Sequence, residues 1–250
     1  MFRSALAAIG FLTILPFGVS ASTEELKRSP GYFPAAGILE GLLLVGTAYV
    51  FSRLFGAAIA SGLLIAVHAV FTGGLHLDGL SDTFDAIALR GPGERKLEVM
   101  KDSTAGPIGV SAMVIAVLLK FLFLEKTVGG RAGYAALFLM AVSSRWAMVM
   151  AMLHGKSARE SGLGFFMISN TTIIEAVKAA AILAAAWGAC LPFAGGHGAG
   201  LLASIAGVYL FSFFMVRLCA YNFGGLTGDN LGAISELSEI IFLASFLAAA

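Results

Sequence analysis

Eight apolar stretches run through this chain, at about 4–20, 35–51, 55–75, 107–124, 132–153, 173–194, 199–221 and 232–250. Most are close to the length that crosses a bilayer. Lipid offers the backbone no hydrogen-bond partner, so stretches of this kind fold as helices. Only 12% of residues are charged and 58% are hydrophobic, whereas a soluble domain is about 25% charged. The sequence therefore predicts an all-α, polytopic membrane bundle of seven to eight transmembrane helices, the shorter stretches leaving room for a re-entrant segment. Ala and Gly in these stretches favour close helix packing. No linker or low-complexity segment interrupts residues 1–250, which read as one integral membrane domain. The net charge of +1 says nothing about partners, and the lack of a basic stripe argues against a nucleic-acid partner. Cys190 and Cys219 lie in apolar stretches and read as buried, inert thiols.

The first stretch, Arg3 and then an apolar run to Phe17, mimics a signal peptide but is read as a first membrane helix interrupted near Pro16. The loops fall into two sets. Segments 21–34, 76–106, 154–172 and 222–231 carry Lys27, Arg28, Arg90, Arg95, Lys96, Lys101, Lys156 and Arg159. The N-terminus and segments 52–54, 125–131 and 195–198 carry only Arg3, Arg53, Lys126 and Arg131. The positive-inside rule puts the richer set in the cytoplasm, and nearly all the acids fall on that side too.

That side holds Asp78, Asp82 and Asp85, at i, i+4 and i+7 just after Gly73-Gly74. A helix puts all three carboxylates on one face, where they repel unless a cation joins them. A hard divalent metal with oxygen ligands, bridging to substrate phosphates, is the simplest partner. His76 borders the cluster as a weaker ligand candidate, because hard cations prefer oxygen. Lys101, Asp102 and Ser103 precede a glycine-containing turn that suits a phosphate cradle. Arg145 lies inside an apolar stretch, where a guanidinium is costly and reads as functional, reaching for a phosphate. Arg159 is read as a surface ion pair or a second phosphate ligand, and Lys120 and Lys178 as snorkelling to the boundary. Glu40 reads equally as a paired carboxyl or a site residue, and His68 as a packed core histidine.

A second block repeats the first. Gly73-Gly74-Leu75-x-x-Asp78-x-Leu80 recurs as Gly224-Gly225-Leu226-x-x-Asp229-x-Leu231, with Thr227 inside it and Glu236 and Glu239 following. Two glycine breaks presenting Asp78 and Asp229 to one cavity, with Glu236 facing it, is the functional expectation. Chance similarity predicts instead that Asp229 caps its own helix.

The blocks Tyr32-Phe33-Pro34, His76-Leu77-Asp78-Gly79-Leu80-Ser81-Asp82-Thr83-Phe84-Asp85, Met100-Lys101-Asp102-Ser103, Ala158-Arg159-Glu160 and Gly224-Gly225-Leu226-Thr227-Gly228-Asp229 resemble the cobalamin synthase family, end to end and in order. The resemblance implies a Mg²⁺-dependent transferase, multi-pass in the cell inner membrane with a loop-built cytoplasmic active site. It implies joining adenosylcobinamide-GDP to α-ribazole or its 5′-phosphate with release of GMP. Metal ligands would be Asp78, Asp82, Asp85 and Asp229. Asp78, Asp82 and Glu236 would be catalytic, an aspartate or Glu236 taking the hydroxyl proton. His76, Lys101, Asp102, Ser103, Arg145, Arg159 and Thr227 would bind substrate. Family members often carry arginine where this chain has Ile14 and Thr104, and glycine at Ala86, which turns attention to Arg145 and Arg159. A metal-dependent prenyl or lipid-alcohol phosphotransferase and a cation-coupled transporter are the rival readings. The partners are those small molecules and the bilayer, and the sequence leaves room for a homo-oligomer.

Overall fold

Helix α3, Phe33–Phe71, has 39 residues and would span about 58 Å if straight, nearly twice a bilayer core. It is not straight. Gly56 takes φ 81° and ψ 174°, outside helical space and in a region that favours glycine. Glu40 and His68, 28 positions apart in sequence, touch side by side at 2.5 Å. A straight helix would hold them about 42 Å apart. Gly56 therefore turns α3 back on itself, and its two arms form an antiparallel hairpin.

The computed structural model of the protein describes residues 2–17, 21–101 and 104–249. In chain order the other helices are α1 (Phe2–Leu12), α2 (Thr23–Arg28), α4 (Leu75–Ala88), α5 (Gly93–Val99), α6 (Pro107–Thr127), α7 (Gly130–His154), α8 (Leu163–Asn170), α9 (Ile173–Cys190), α10 (Gly198–Phe223) and α11 (Gly228–Ala248). Six helices are long and apolar enough to cross a membrane, with α3 counted once. Folding at Gly56 makes seven crossings among the described residues. Helix α7 is the central post, buried without interruption from Leu139 to Met152. Cys190 and Cys219 are free and buried.

The expected first membrane helix is corrected. Helix α1 has 11 residues, about 16 Å, too short to span. Arg3 sits 3.8 Å from Glu25, and the Ile14 N–H donates to Phe71 O at 2.9 Å. Both ends of α1 thus belong to the face that carries α2 and the end of α3. Arg3 moves from the base-poor side to the base-rich one, which sharpens the asymmetry. On that face α1, α2, α4, α5 and α8 form a platform of short helices capping the long ones.

Candidate functional site

Helix α4 begins after Gly73 and Gly74, both at positive φ, and lies across the start of α11. The crossing is tight: a Cβ on Gly79 would stand 2.6 Å from Asp229 O. Only glycine lets the helices approach this closely, and the approach brings Asp78 and Asp82 alongside Asp229. Asn230 Nδ2 donates to Thr83 Oγ1 at 3.0 Å and fixes the crossing. Thr227, with Asn230, caps α11; Asp229 does not cap its own helix. It turns instead to Arg159, Nη2 to Oδ2 at 3.3 Å. Arg159 is held there by its neighbours: Leu226 N–H donates to Lys156 O at 2.7 Å and Ala158 N–H to Leu226 O at 2.8 Å. The second Gly-Gly-Leu block thus staples the 156–159 loop beside α11. Glu160 points to solvent.

The three α4 aspartates part company. Asp85 accepts from the N–H groups of Gly106 and Gly109 at 2.7 and 2.8 Å. It caps α6, a use of a carboxylate that a helix N-terminus rewards. No ion pair or hydrogen bond among the described residues involves the carboxylate of Asp78 or Asp82. Asp78 is exposed and Asp82 half-buried. Burial, and after it the charges of Asp78, Asp229 and Asp85, push the Asp82 carboxyl up to about 6. Oxygen donors with uncompensated charge, open to solvent, fit a hard divalent cation that keeps positions for other oxygens. Asp78 and Asp82 fit best, with Asp229 across the crossing. Asp85 as a ligand is a weaker fit, because both its oxygens already accept from backbone.

A pH test follows. An acid whose pKa rises on folding favours its protonated form in the folded state. Its stabilising share is present below its ordinary 3.8 and is lost as pH climbs through about 6. In cation-free detergent, Asp82→Asn should melt higher than wild type at neutral pH and lose that advantage at about pH 4 or below. A variant no more stable at neutral pH would overturn the like-charge account.

Two cavities open on this platform, with α4 bordering both. One, of about 220 Å³, is lined by Arg159, Asp229, Thr227, His76, Ser161 and apolar side chains of α1, α7 and α8. The other, of about 360 Å³, is lined by Asp82, Asp85, Thr104 and Leu89 among others. Leu75 and His76 of the first Gly-Gly-Leu block and Thr227, Asp229 and Leu231 of the second line the smaller cavity together, as expected, but Asp78 is not among its lining residues. Ile14 lies against Gly73 and Thr104 lines the second cavity. Lys101 is exposed after α5; Asp102 and Ser103 lie outside the described residues.

Glu236 and Arg145 are elsewhere. Six buried side chains from both arms of α3, α6, α7 and α11 close a ring in which acid and base alternate. Arg145 Nη2 meets Glu40 Oε2 at 2.5 Å, Glu40 meets His68 Nδ1 at 2.5 Å, and His68 Nε2 meets Glu236 at 2.8 Å. Lys120 Nζ bridges Glu236 at 2.5 Å and Glu239 at 2.8 Å, and Glu239 returns to Arg145 Nη1 at 3.4 Å. Ser144 and Ser235 join at Arg145 and Glu239. Carboxylates on both nitrogens of His68 call for two N–H donors, which the imidazolium supplies; the ring is then neutral. Arg145 is 1% exposed, so the expected phosphate contact is corrected: its charge is spent inside. Glu236 is equally enclosed and does not face the cavity. Lys120 does not snorkel but turns inward. Glu40, His68 and Glu239 bring donor atoms within 4.8 Å of one another, which could hold a metal ion, although Lys120 and Arg145 already neutralise these acids.

A family model for cobalamin-5-phosphate synthase matches residues 4–247. The chain belongs to the cobalamin-5-phosphate synthase family. Among its relatives, the adenosylcobinamide-GDP ribazoletransferase of Geotalea daltonii is 36% identical over 250 residues, covering 99% of this chain and 98% of the relative. The protein of the same name from Thermodesulfovibrio yellowstonii is 34% identical, covering 99% and 96%. That from Desulforamulus reducens is 37% identical, covering 97% and 96%. No solved structure matches. For a family member, the platform gathers Asp78, Asp82, Asp229, Arg159, Thr227 and His76 around one helix crossing. The bundle below holds Glu40, His68, Lys120, Arg145, Glu236 and Glu239 in the closed ring.

Proposed function

We propose that the chain transfers adenosylcobinamide phosphate from adenosylcobinamide-GDP to α-ribazole or its 5′-phosphate and releases GMP, the whole of 1–250 acting as one membrane transferase domain. The relatives' names supply the substrates. The observation that carries the reading is the α4–α11 crossing, which brings Asp78 and Asp82, free of hydrogen-bond partners of their own among the described side chains, beside the Asp229–Arg159 pair that lines a cavity. A diphosphate needs charge neutralised as the leaving oxygen departs, and a base held near the entering hydroxyl. Asp78 and Asp82 would hold Mg²⁺, with Asp229 adjoining. When bound, the ion neutralises charge on the diphosphate. Arg159 holds a phosphate oxygen. The acceptor hydroxyl forms a bond to the cobinamide-side phosphorus, the bond to the GMP oxygen breaks, and Asp229 takes the hydroxyl proton. With Glu236 enclosed, the proton falls to an aspartate of the platform.

A cation-coupled transporter would want deep carboxylates along a water path. Glu40, Glu236 and Glu239 are deep, but fixed cations pair with them and the space beside them is about 10 Å³. Purified protein in liposomes should release GMP from adenosylcobinamide-GDP only when α-ribazole or its phosphate is added, and EDTA should stop it until Mg²⁺ returns. Release with a prenyl or lipid alcohol in place of α-ribazole would favour the rival transferase.

We infer further that the platform faces the cytoplasm of the inner membrane, because its bases outnumber those opposite. Single cysteines replacing Glu94 and Glu160, both exposed, should react with a membrane-impermeant maleimide only after intact spheroplasts are opened. One replacing exposed Arg131 should react beforehand. The reverse pattern would invert the topology.

A further inference from the structure

His76 is 0% exposed, and neither of its ring nitrogens has a hydrogen-bond partner among the described residues. Buried polar groups in folded proteins are nearly always paired. His76 borders the cavity of about 220 Å³, whose lining includes the apolar side chains Phe11, Met148, Met167 and Leu231 and the hydroxyls of Ser157, Ser161 and Thr227. Charge enters only where Arg159 and Asp229 line it. The cavity therefore combines a largely apolar lining, one unsatisfied imidazole and an ionic portion. A phosphate would settle at Arg159, not among methionines and a phenylalanine. What fits the apolar wall is a flat, uncharged, bicyclic heteroaromatic ring with one hydrogen-bonding edge. The volume accepts such a ring and excludes a corrinoid.

Resting on the transferase reading above, we propose that this cavity is the seat of the acceptor nucleoside's base, and that His76 reads it by donating a ring N–H to the base's unsubstituted nitrogen. The substituted nitrogen carries the ribose, which points the sugar hydroxyls out of the apolar wall toward Asp229 and Arg159. His76 is then a specificity-determining residue: it rejects rings of the same shape that lack the acceptor nitrogen, because its N–H would stay buried and unpaired.

The test is equilibrium binding to the whole chain in detergent, without turnover, of α-ribazole and of its isostere the 5,6-dimethylindole α-riboside, in which only that nitrogen is replaced by carbon. Wild type should bind α-ribazole about tenfold to a hundredfold more tightly than the indole riboside. His76→Phe should weaken α-ribazole binding by a similar factor while leaving the indole riboside unchanged, so that the preference disappears. His76→Asn, which keeps an N–H, should restore part of it. Size-exclusion profiles would show whether each variant is folded. If wild type binds the two ribosides equally, or binds neither, the proposal is overturned. It is equally overturned if a folded His76→Phe weakens both alike, which would make His76 a packing residue. GMP release, measured separately, tests the transferase reading: α-ribazole binding with the predicted preference but no GMP release would refute that reading and leave the cavity assignment standing.

Discussion

Asp78→Ala and Asp82→Ala should each lower GMP release by about a thousandfold or more, since metal stabilisation of transition-state charge is worth several kcal/mol and each 1.4 kcal/mol is tenfold in rate. Neither carboxylate has a hydrogen-bond or ion-pair partner among the described residues, so both variants should be recovered in the membrane at wild-type levels. Their melting temperatures should match or exceed wild type. Asp85→Ala should behave oppositely. It removes two hydrogen bonds from the start of α6, a loss of about 1–2 kcal/mol by analogy with helix caps. It should lower the melting temperature first and activity second. Isothermal titration with Mn²⁺ as a probe separates the roles: Asp78→Ala and Asp82→Ala should lose the binding heat and Asp85→Ala retain most of it. Full activity in Asp78→Ala and Asp82→Ala would refute the site.

Breaking the buried ring should cost the fold rather than the chemistry. Lys120→Met leaves Glu236 and Glu239 short of a counter-charge in a membrane interior, and Arg145→Met does the same for Glu40 and Glu239. Removing one partner of a buried pair costs about 3–5 kcal/mol. Both variants should give little monodisperse protein in detergent, and what survives should turn over at near wild-type rate. Lys120→Met combined with Glu239→Gln should recover part of the loss, because the lone charge goes with its partner. A folded Arg145→Met with normal stability and greatly reduced kcat would instead restore the phosphate-binding role expected from sequence.

The bundle was legible because lipid leaves a hydrophobic segment so few options. The hairpin in α3 was legible as two separate stretches, although Gly56 itself carried no distinctive signal. The first stretch misled because its apolar run mimics a span, and only Arg3 meeting Glu25 shows that it lies along one face. At the site, the spacing of Asp78, Asp82 and Asp85 gave one shared helical face. It could not show that Asp85 is committed to backbone donors more than twenty residues away. Arg159 and Asp229 were each singled out, but the loop pairing that joins them has no local sequence mark. The ring was the largest omission. Glu40, His68, Lys120, Arg145, Glu236 and Glu239 were weighed one at a time, as costs to be explained singly. The available signal was that Glu40, Glu236 and Glu239 lie well inside the apolar stretches along with His68, Lys120 and Arg145, three acids and three bases that asked to be read as a sum.

The ring also bears on how the chain is made. Glu40 enters the membrane early in synthesis, while its circuit closes only when α11 delivers Glu236 and Glu239 at the end. Until then Glu40 has His68 and Arg145 beside it, but Lys120 has no carboxylate at all, and half-made bundles display its charge to lipid or to insertion factors. A ribosome that stalls before α11 leaves Lys120 without either of its carboxylates. The finished circuit is thus a completeness check: membrane proteases and chaperones that recognise exposed polar groups could tell a whole molecule from a truncated one by whether these charges remain open.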